Sequence, residues 1–296
     1  MSTYNGARFV AEQIRSILAQ LPPDGILLVR DDGSTDATSE SIAQFNDARI
    51  QFVCGSNVGF ARSFFELMRM APRGRDMYML ADQDDIWLPN KISRAWSQVC
   101  LHDGHPFLYC AVPQLVDVTL QPIGLGRQSA AGVTLLNALV ENQVTGCTVA
   151  MNEALLKFAL PDEQSLPDIH FHDWWLYVVA VAFGTVYCDN TPTILYRQHD
   201  GNYMGYGAGL KRYWRMLDYL RRKNWLASML SQVRAFRRMH GDALSVGQLA
   251  ALDAVQAPSG QLRRWKMVCA ARRHRQTLGG ELLLRALLVC DWRSLR

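Results

Sequence analysis

Three carboxylates in four residues, within Asp82-Gln83-Asp84-Asp85-Ile86-Trp87, are the strongest chemical signal in this 296-residue chain. Carboxylates so closely spaced repel one another unless a positive group is shared among them. Hard oxygen ligands on a loop beside a phosphate are the normal way to hold Mg²⁺ or Mn²⁺. The run directly follows the apolar segment Met77-Tyr78-Met79-Leu80-Ala81, which places it at a strand end. A second acidic turn, Asp31-Asp32-Gly33-Ser34, closes the apolar run Ile26-Leu27-Leu28-Val29. Ligands of α/β sheets bind outside the carboxyl ends of the strands, so both turns face the expected ligand crevice.

The elements that must position these turns alternate. Phe9, Ile14, Ile17 and Leu18 recur at helical spacing before the turn Leu21-Pro22-Pro23-Asp24-Gly25. The run 26–29 is a strand covered on both faces, and a helix over Thr35 to Phe45 follows, with Ser34 or Thr35 as its cap. Ile50 to Val53 is the next strand, Ala61 to Met70 the next helix and Asp76 to Ala81 a further strand. Such alternation predicts a mostly parallel, doubly wound α/β sheet. Its start is odd: Ser2-Thr3-Tyr4-Asn5-Gly6 reads as the loop after a first strand, with no apolar strand before it. The expectation is a sheet whose central first strand is missing, its slot filled by a rearranged strand, a partner chain or residues further upstream.

With 49% hydrophobic and 20% charged residues, the chain supports a real core, which excludes a disordered chain, a collagen-like repeat and a coiled coil. The longest nearly charge-free run, Trp174 to Cys188, falls short of the ~18–20 residues that span a bilayer, and no export leader opens the chain. Seven scattered cysteines without a Cys-x-x-Cys pair read as reduced thiols of a cytoplasmic protein. The net charge of +4 hides a split: from Gly207 onward stand 18 Lys and Arg against 5 Asp and Glu, leaving 13 against 22 before it. The chain therefore divides into an acidic body, 1–206, and a basic amphipathic helical tail, 207–296. Leu210, Tyr213, Trp214, Leu217 and Leu220 form the tail's apolar stripe, Lys211, Arg215 and Arg222 lie on another face, and Gly241 and Pro258-Ser259-Gly260 are helix breaks. Such a tail suits an anionic membrane surface, here the inner face of the plasma membrane. Otherwise it packs on the body or on a second copy of the chain in a homo-oligomer. Its Arg, Lys, Trp and Tyr would also suit nucleic acid, but the motifs of that class are absent and the stripe is continuous, so no nucleic-acid partner is expected.

Taken in order, Ser2-Thr3-Tyr4-Asn5-Gly6, Asp31-Asp32-Gly33-Ser34-Thr35-Asp36, Asn57-Val58-Gly59 and Asp82-Gln83-Asp84-Asp85-Ile86-Trp87 resemble the motifs of glycosyltransferase family 2. Gly146-Cys147, His172-Asp173-Trp174-Trp175 and Tyr196-Arg197-Gln198-His199-Asp200-Gly201-Asn202 are similar to its bacterial rhamnosyltransferase-like branch. The resemblance covers about residues 2–205, and no motif covers the tail. It implies an inverting enzyme of GT-A fold that uses a nucleotide-sugar donor, dTDP- or UDP-linked. dTDP-rhamnose is the favoured donor and a cell-envelope glycan or polyprenyl-linked glycan the favoured acceptor.

The resemblance also implies roles. Thr3, Tyr4 and Asn5 with Asp31 or Asp32 would frame the base and ribose, since a carboxylate accepts hydrogen bonds from ribose hydroxyls or a pyrimidine N–H. Asn57 would shape the next loop, and Arg62 would lie near the diphosphate. Asp82 and Asp84 would hold the metal, with His199 as third ligand, while Arg197 and Gln198 serve the same phosphates. Asp173 would be the general base, within reach of the acceptor hydroxyl on the sugar face opposite the leaving group. Gly146 would let the acceptor approach the backbone, and Trp174 and Trp175 would stack against its sugar ring, unless one of them belongs to the core. Two other readings compete. A metal-dependent nucleotidyltransferase should carry a Gly-rich basic phosphate loop near its start, which Ser2 to Arg8 matches poorly. A nucleotide-sugar-binding protein impaired by the missing strand would bind donor without transferring it.

Overall fold

The computed structural model describes residues 1–102, 104–126, 133–199, 225–256, 275, 279–282 and 284–285. The stripe Leu210 to Leu220, the boundary at residue 206, the break at 258–260 and Asp200-Gly201-Asn202 lie outside them. The chain groups into two compact units: 1–128 with 144–160 and 184–206, and 129–143 with 161–183 and 207–296. The second unit thus takes in two stretches from before residue 206.

In the first unit, β1 (Ser2–Thr3) pairs in parallel with β2 (Leu27–Asp31), setting Ser2 opposite Arg30 and Thr3 opposite Asp31. β2 pairs in parallel with β3 (Ile50–Cys54) along five residues. A two-residue strand thus stands where a loop was expected, at the edge of this sheet and paired with β2 alone, short of the central strand of about five residues that the pattern calls for. It escapes an apolar-run criterion because it is polar: the Ser2 and Ser63 hydroxyls meet at 2.7 Å, and Thr3 Oγ1 donates to Asp31 Oδ1 at 2.9 Å. The buried amino group of Met1 continues the ladder by donating to the Leu28 carbonyl at 2.7 Å.

α1 (Val10–Leu18) and α3 (Phe60–Met70) are amphipathic, and Val10, Ile14 and Ile17 join Leu27, Val29, Trp87, Ile194 and Tyr196 in one core cluster. α2 (Thr38–Ala43) starts later than expected, and neither Ser34 nor Thr35 caps it: Asp36 Oδ1 accepts the Thr38 N–H at 3.1 Å. Two further sheets complete the unit. One has the order β10-β6-β9-β4, built from β4 (Tyr78–Met79), β6 (Phe107–Ala111), β9 (Ala150–Met151) and β10 (Thr185–Asp189). Its interior strand β6 is buried at every residue and runs parallel to β10. The other has the order β5-β11-β7-β8, from β5 (Ile86–Trp87), β7 (Gln114–Val116), β8 (Pro122–Leu125) and β11 (Ile194–Arg197). The five-residue ladders are parallel and the antiparallel ones run two or three residues, so the body is a mixed α/β sheet system with parallel strands at its centre. Just before β10, Gly184 passes so close to Pro106 that a Cβ would lie 2.0 Å from its carbonyl oxygen, a site open to glycine alone.

The second unit is helical where described. α5 (Leu135–Val140) packs on α7 (His172–Phe183), and the helix Val246–Val255 packs on α5 and on the helix Trp225–His240. α7 is buried from Trp174 through Ala180 without a polar stripe, as an interior helix must be. The break expected at Gly241 is real: a 3₁₀ turn Gly241–Ala243 separates the last two helices, and Ser245 with Gln248 forms a capping box. No helix among the described residues is long and apolar enough to cross a membrane.

Candidate active site

The first two motifs converge. Asp31, at the end of β2, accepts Thr3 Oγ1, the Ser34 N–H at 2.9 Å and the Ser34 hydroxyl. Asn5, at φ 50°, donates its N–H to Ser34 Oγ at 2.8 Å and accepts the Thr35 N–H at 2.8 Å on Oδ1. Asp32 is buried, salt-bridged to Arg30, and accepts the N–H groups of Val58 and Gly59, both at 2.9 Å. Both carboxylates thus shape the rim: Asp31 ties β1's loop to the turn, and Asp32 ties the turn to the Asn57-Val58-Gly59 loop. Exposed along this rim are Tyr4, Asn5, Thr35, Asp36, Ser56 and Asn57. Arg62 is exposed on α3 and pairs with Glu66 at 3.5 Å.

The acidic run is held one residue at a time, Asp82 by α1, Gln83 by the Tyr4 backbone, and Asp84 and Asp85 by the end of β11. The Asp82 carbonyl accepts Gln13 Nε2, from the buried face of α1, at 2.9 Å. Gln83 accepts the Tyr4 N–H at 2.8 Å and donates Nε2 to the Tyr4 carbonyl at 3.0 Å. The Asp84 carbonyl accepts Arg197 Nε at 2.9 Å, while its Oδ2 meets His199 Nε2 at 2.9 Å. Asp85 Oδ1 accepts the Arg197 backbone N–H at 3.2 Å. α1 and the turn after it continue the jig: Ser16 Oγ accepts the Trp87 N–H at 3.0 Å, and Gln20, just past the helix, bonds Leu88 O and Ile92 N, both at 3.0 Å. Residues 13 and 16 stand three apart, on one side of the helix.

Arg197 is buried, and its guanidinium is engaged by the protein. Beyond Asp84, it donates to the Val118 carbonyl at 2.9 Å and to Glu12 Oε2 at 2.6 Å, and it lies 4.5 Å from the Phe9 ring centroid. Expected at the phosphates, it instead spans α1, the acidic run and the loop after β7. The Phe9 ring also lies 5.0 Å from that of His199. Gln198 is fixed by its N–H to the Val116 carbonyl at 2.8 Å.

Beneath the run lies a buried floor. Carboxylate oxygens of Asp82 and Asp85 and the Cys147 sulfur fall within 4.8 Å of one another. Burial, reinforced by Asp84 and Asp82, holds the Asp85 carboxyl well above the usual carboxylate range, and burial pushes the Cys147 thiol up. Lys91, wholly buried, donates Nζ to the Cys147 carbonyl at 2.8 Å, stands 4.9 Å from the Trp87 ring centroid and is lowered by burial to about 8. The expected trio Asp82, Asp84 and His199 is therefore divided: Asp84 goes with His199, and Asp82 with Asp85 and Cys147. Carboxylate and imidazole meeting at 2.9 Å, over a buried Asp85 Oδ2 with no hydrogen-bond partner among the described residues, fit a hard divalent cation. Gln83, Asp85, Lys91, Gln13 and Glu12 were not singled out from the sequence. Gly146 lies buried in the 3₁₀ turn Gly146–Thr148 that leads to β9.

In the second unit Asp173 lies in the first turn of α7, where the helix dipole favours an anion. Its Oδ1 accepts the Trp174 N–H at 2.7 Å and its Oδ2 accepts Asn142 Nδ2 at 3.0 Å, leaving it half-buried. Trp174 and Trp175, expected to meet a sugar, are interior. Trp174 donates Nε1 to the Ala138 carbonyl at 2.6 Å and stacks on Trp225, and Trp175 packs edge-on to Phe236. An apolar helix buried on all sides leaves neither ring a free face; both brace the segment that carries Asp173.

Carboxylates and an imidazole gather at the strand ends of a Rossmann-like α/β body, the place where sheets of this kind bind ligands. Residues 1–104 match the model of Glycosyl transferase family 2. The dTDP-rhamnosyl transferase RfbG of Shigella flexneri is 28% identical over 246 residues, 79% of this chain and 83% of that one. The Escherichia coli UDP-Glc:alpha-D-GlcNAc-diphosphoundecaprenol beta-1,3-glucosyltransferase WfgD is 28% identical over 179 residues, 60% of this chain and 66% of that one. Among solved structures, S. aureus TarS 1–349, crystallised with UDP-GlcNAc, superposes with TM-score 0.57 at 17% identity, covering 92% of this chain and 74% of that one, which shows a shared fold. The chain is a glycosyltransferase, and the nucleotidyltransferase reading finds no support among these relatives.

Proposed function

We propose that the chain is an inverting, metal-dependent glycosyltransferase that moves a sugar, with dTDP-rhamnose as the favoured donor, onto a hydroxyl of a cell-envelope or polyprenyl-linked glycan. The observation that carries this reading is the acidic run, fixed residue by residue beside the Thr3-Tyr4-Asn5 loop, with Asp84 against His199. The similarity to a dTDP-rhamnosyl transferase supports the donor, and the similarity to a glucosyltransferase of a diphosphoundecaprenol-linked sugar supports the acceptor.

Tyr4 borders the base, and the turn that Asn5, Asp31 and Asp32 shape borders the ribose. Asp84 and His199, with Asp82 behind them, hold Mg²⁺ or Mn²⁺, which supplies Lewis-acid assistance to the departing diphosphate. Asn57, Arg62 and Gln198 border the phosphates. Asp173 takes the proton of the acceptor hydroxyl as that oxygen attacks the anomeric carbon in line with the breaking C–O bond, so configuration inverts. Gly146 leaves room for the acceptor beside the backbone. Residues 207–296, rich in Arg, bring the enzyme to anionic lipid at the inner face of the plasma membrane, where a lipid-linked acceptor is held.

The test is a panel of dTDP- and UDP-sugars with a polyprenyl-diphosphate-linked acceptor and Mn²⁺, read by mass and by the anomeric coupling of the product. A new inverted linkage that disappears with excess chelator is expected. Retained configuration, or full activity in chelator, overturns the mechanism.

A further inference from the structure

We propose that Gln83, the residue between Asp82 and Asp84, is a positioning residue that couples metal occupancy to nucleotide-base occupancy. The proposal deepens the nucleotide-sugar reading above and rests on it. The Gln83 side-chain amide exchanges two hydrogen bonds with one residue's backbone, accepting the Tyr4 N–H at 2.8 Å and donating to the Tyr4 carbonyl at 3.0 Å. A neighbouring strand would make the same pair of bonds. The amide thus stands in for a strand at the point where β1 leaves its ladder with β2, whose last partners are Thr3 and Asp31.

The amide also has a built seat. A Cβ on Gly6 would lie 2.2 Å from Gln83 Oε1, so the position beside the amide tolerates no side chain without moving it. Beyond the clamped backbone, the Tyr4 ring is 47% exposed. On the other side, one peptide bond each way from Gln83 stand Asp82 and Asp84, the latter against His199. Any movement of the carboxylates that accompanies cation binding is therefore passed through one side chain to the backbone that carries the Tyr4 ring.

The experiment measures binding of UDP and dTDP to the full chain by calorimetry, with and without Mn²⁺, together with Mn²⁺ binding with and without nucleotide. In a linked pair of sites each ligand tightens the other by the same factor. Gln83→Ala is expected to leave nucleotide affinity in the absence of metal within about twofold and to cut the mutual tightening about tenfold, within the usual span of such couplings. Gln83→Asn, one methylene short of spanning both bonds, behaves like Gln83→Ala. Gly6→Ala, which pushes the amide from its seat while keeping Gln83, reproduces the loss, and the double variant loses nothing further. Undiminished tightening in Gln83→Ala overturns the proposal, as does equal loss of metal-free and metal-assisted nucleotide binding, which marks a merely structural clamp. A wild-type chain that binds neither nucleotide even with Mn²⁺ overturns the nucleotide-sugar reading itself, an outcome distinct from both.

Discussion

Replacing Arg197 by Met separates two roles that this buried cation can play: holding the donor's diphosphate or holding the acidic run. If the guanidinium served the donor's diphosphate, the free enzyme would barely notice its loss. The structure gives it other work: bonds of 2.9 Å to the carbonyls of Asp84 and Val118 and of 2.6 Å to Glu12, within a residue that is 3% exposed. Each carbonyl left unpartnered in the interior costs about 1–3 kcal/mol. The Glu12 contact adds at most about 1 kcal/mol, because that carboxylate is half exposed and water replaces its partner. The expected loss is therefore about 2–7 kcal/mol, a large share of the ~5–15 kcal/mol that holds a domain folded. Urea unfolding of the ligand-free protein measures it directly. Arg197→Lys, which keeps the charge but lacks the planar fork, should recover only part of the difference. A loss under about 1 kcal/mol, accompanied by abolished nucleotide binding, would refute the positioning role and return Arg197 to the phosphates.

Asp173→Asn should lower transfer by about 10²–10⁴, the usual worth of a positioned base, with donor and Mn²⁺ affinity unchanged; an equal fall in donor affinity would make Asp173 structural. Asp84→Asn should weaken Mn²⁺ and nucleoside diphosphate binding together, and independent changes in calorimetry would break the metal assignment. The second unit should be acid-labile. Burial lowers His172 to about 3 and His240 to about 4, so below about pH 6.5 the unfolded chain binds protons that the folded one refuses. Stability then falls with falling pH, by about 1.4 kcal/mol per pH unit for His172 alone, until its folded value is reached. Urea unfolding at pH 7 and pH 5 reads this, and His172→Gln should flatten the slope. The Arg-rich segment 207–296 should co-sediment the chain with anionic but not neutral vesicles and release it in ~0.5 M salt, since such attraction is screened; indifference to lipid charge counts against membrane recruitment.

The sheet, its strand-end turns and the first helices were legible because each rests on a local signal: Ile26 to Val29 then charge, Ile14 and Ile17 at helical spacing, Met77 to Ala81 then Asp82. β1 was not, because Ser2 and Thr3 are polar and are satisfied by Ser63 and Asp31, partners remote in sequence. Lys91 was passed over for a similar reason: a lysine reads as surface, and only the fold supplies the Cys147 carbonyl and the Trp87 ring that accommodate it. Arg197 and the two tryptophans were noticed but assigned by chemistry alone. A guanidinium suits phosphate and an indole suits sugar, yet the carbonyls of Asp84 and Val118 and the ring of Trp225 reach them first. The recruitment of 129–143 and 161–183 into the second unit is a matter of long-range packing, for which a composition boundary at residue 206 carries no information.

The one-residue-at-a-time anchoring of the acidic run has a consequence for how the enzyme comes into being. Its four anchors lie far along the chain: 69 residues separate Gln13 from Asp82, 79 separate Tyr4 from Gln83, 113 separate Arg197 from Asp84 and 112 separate Arg197 from Asp85. Loops of that length close late, and no local stretch can form the cradle before its neighbours have docked. Under the proposed metal role, the nascent chain would offer the cation no finished site until β11 has emerged and paired. By mass action the ion would then favour the finished fold alone, a late seal on folding rather than a template for it.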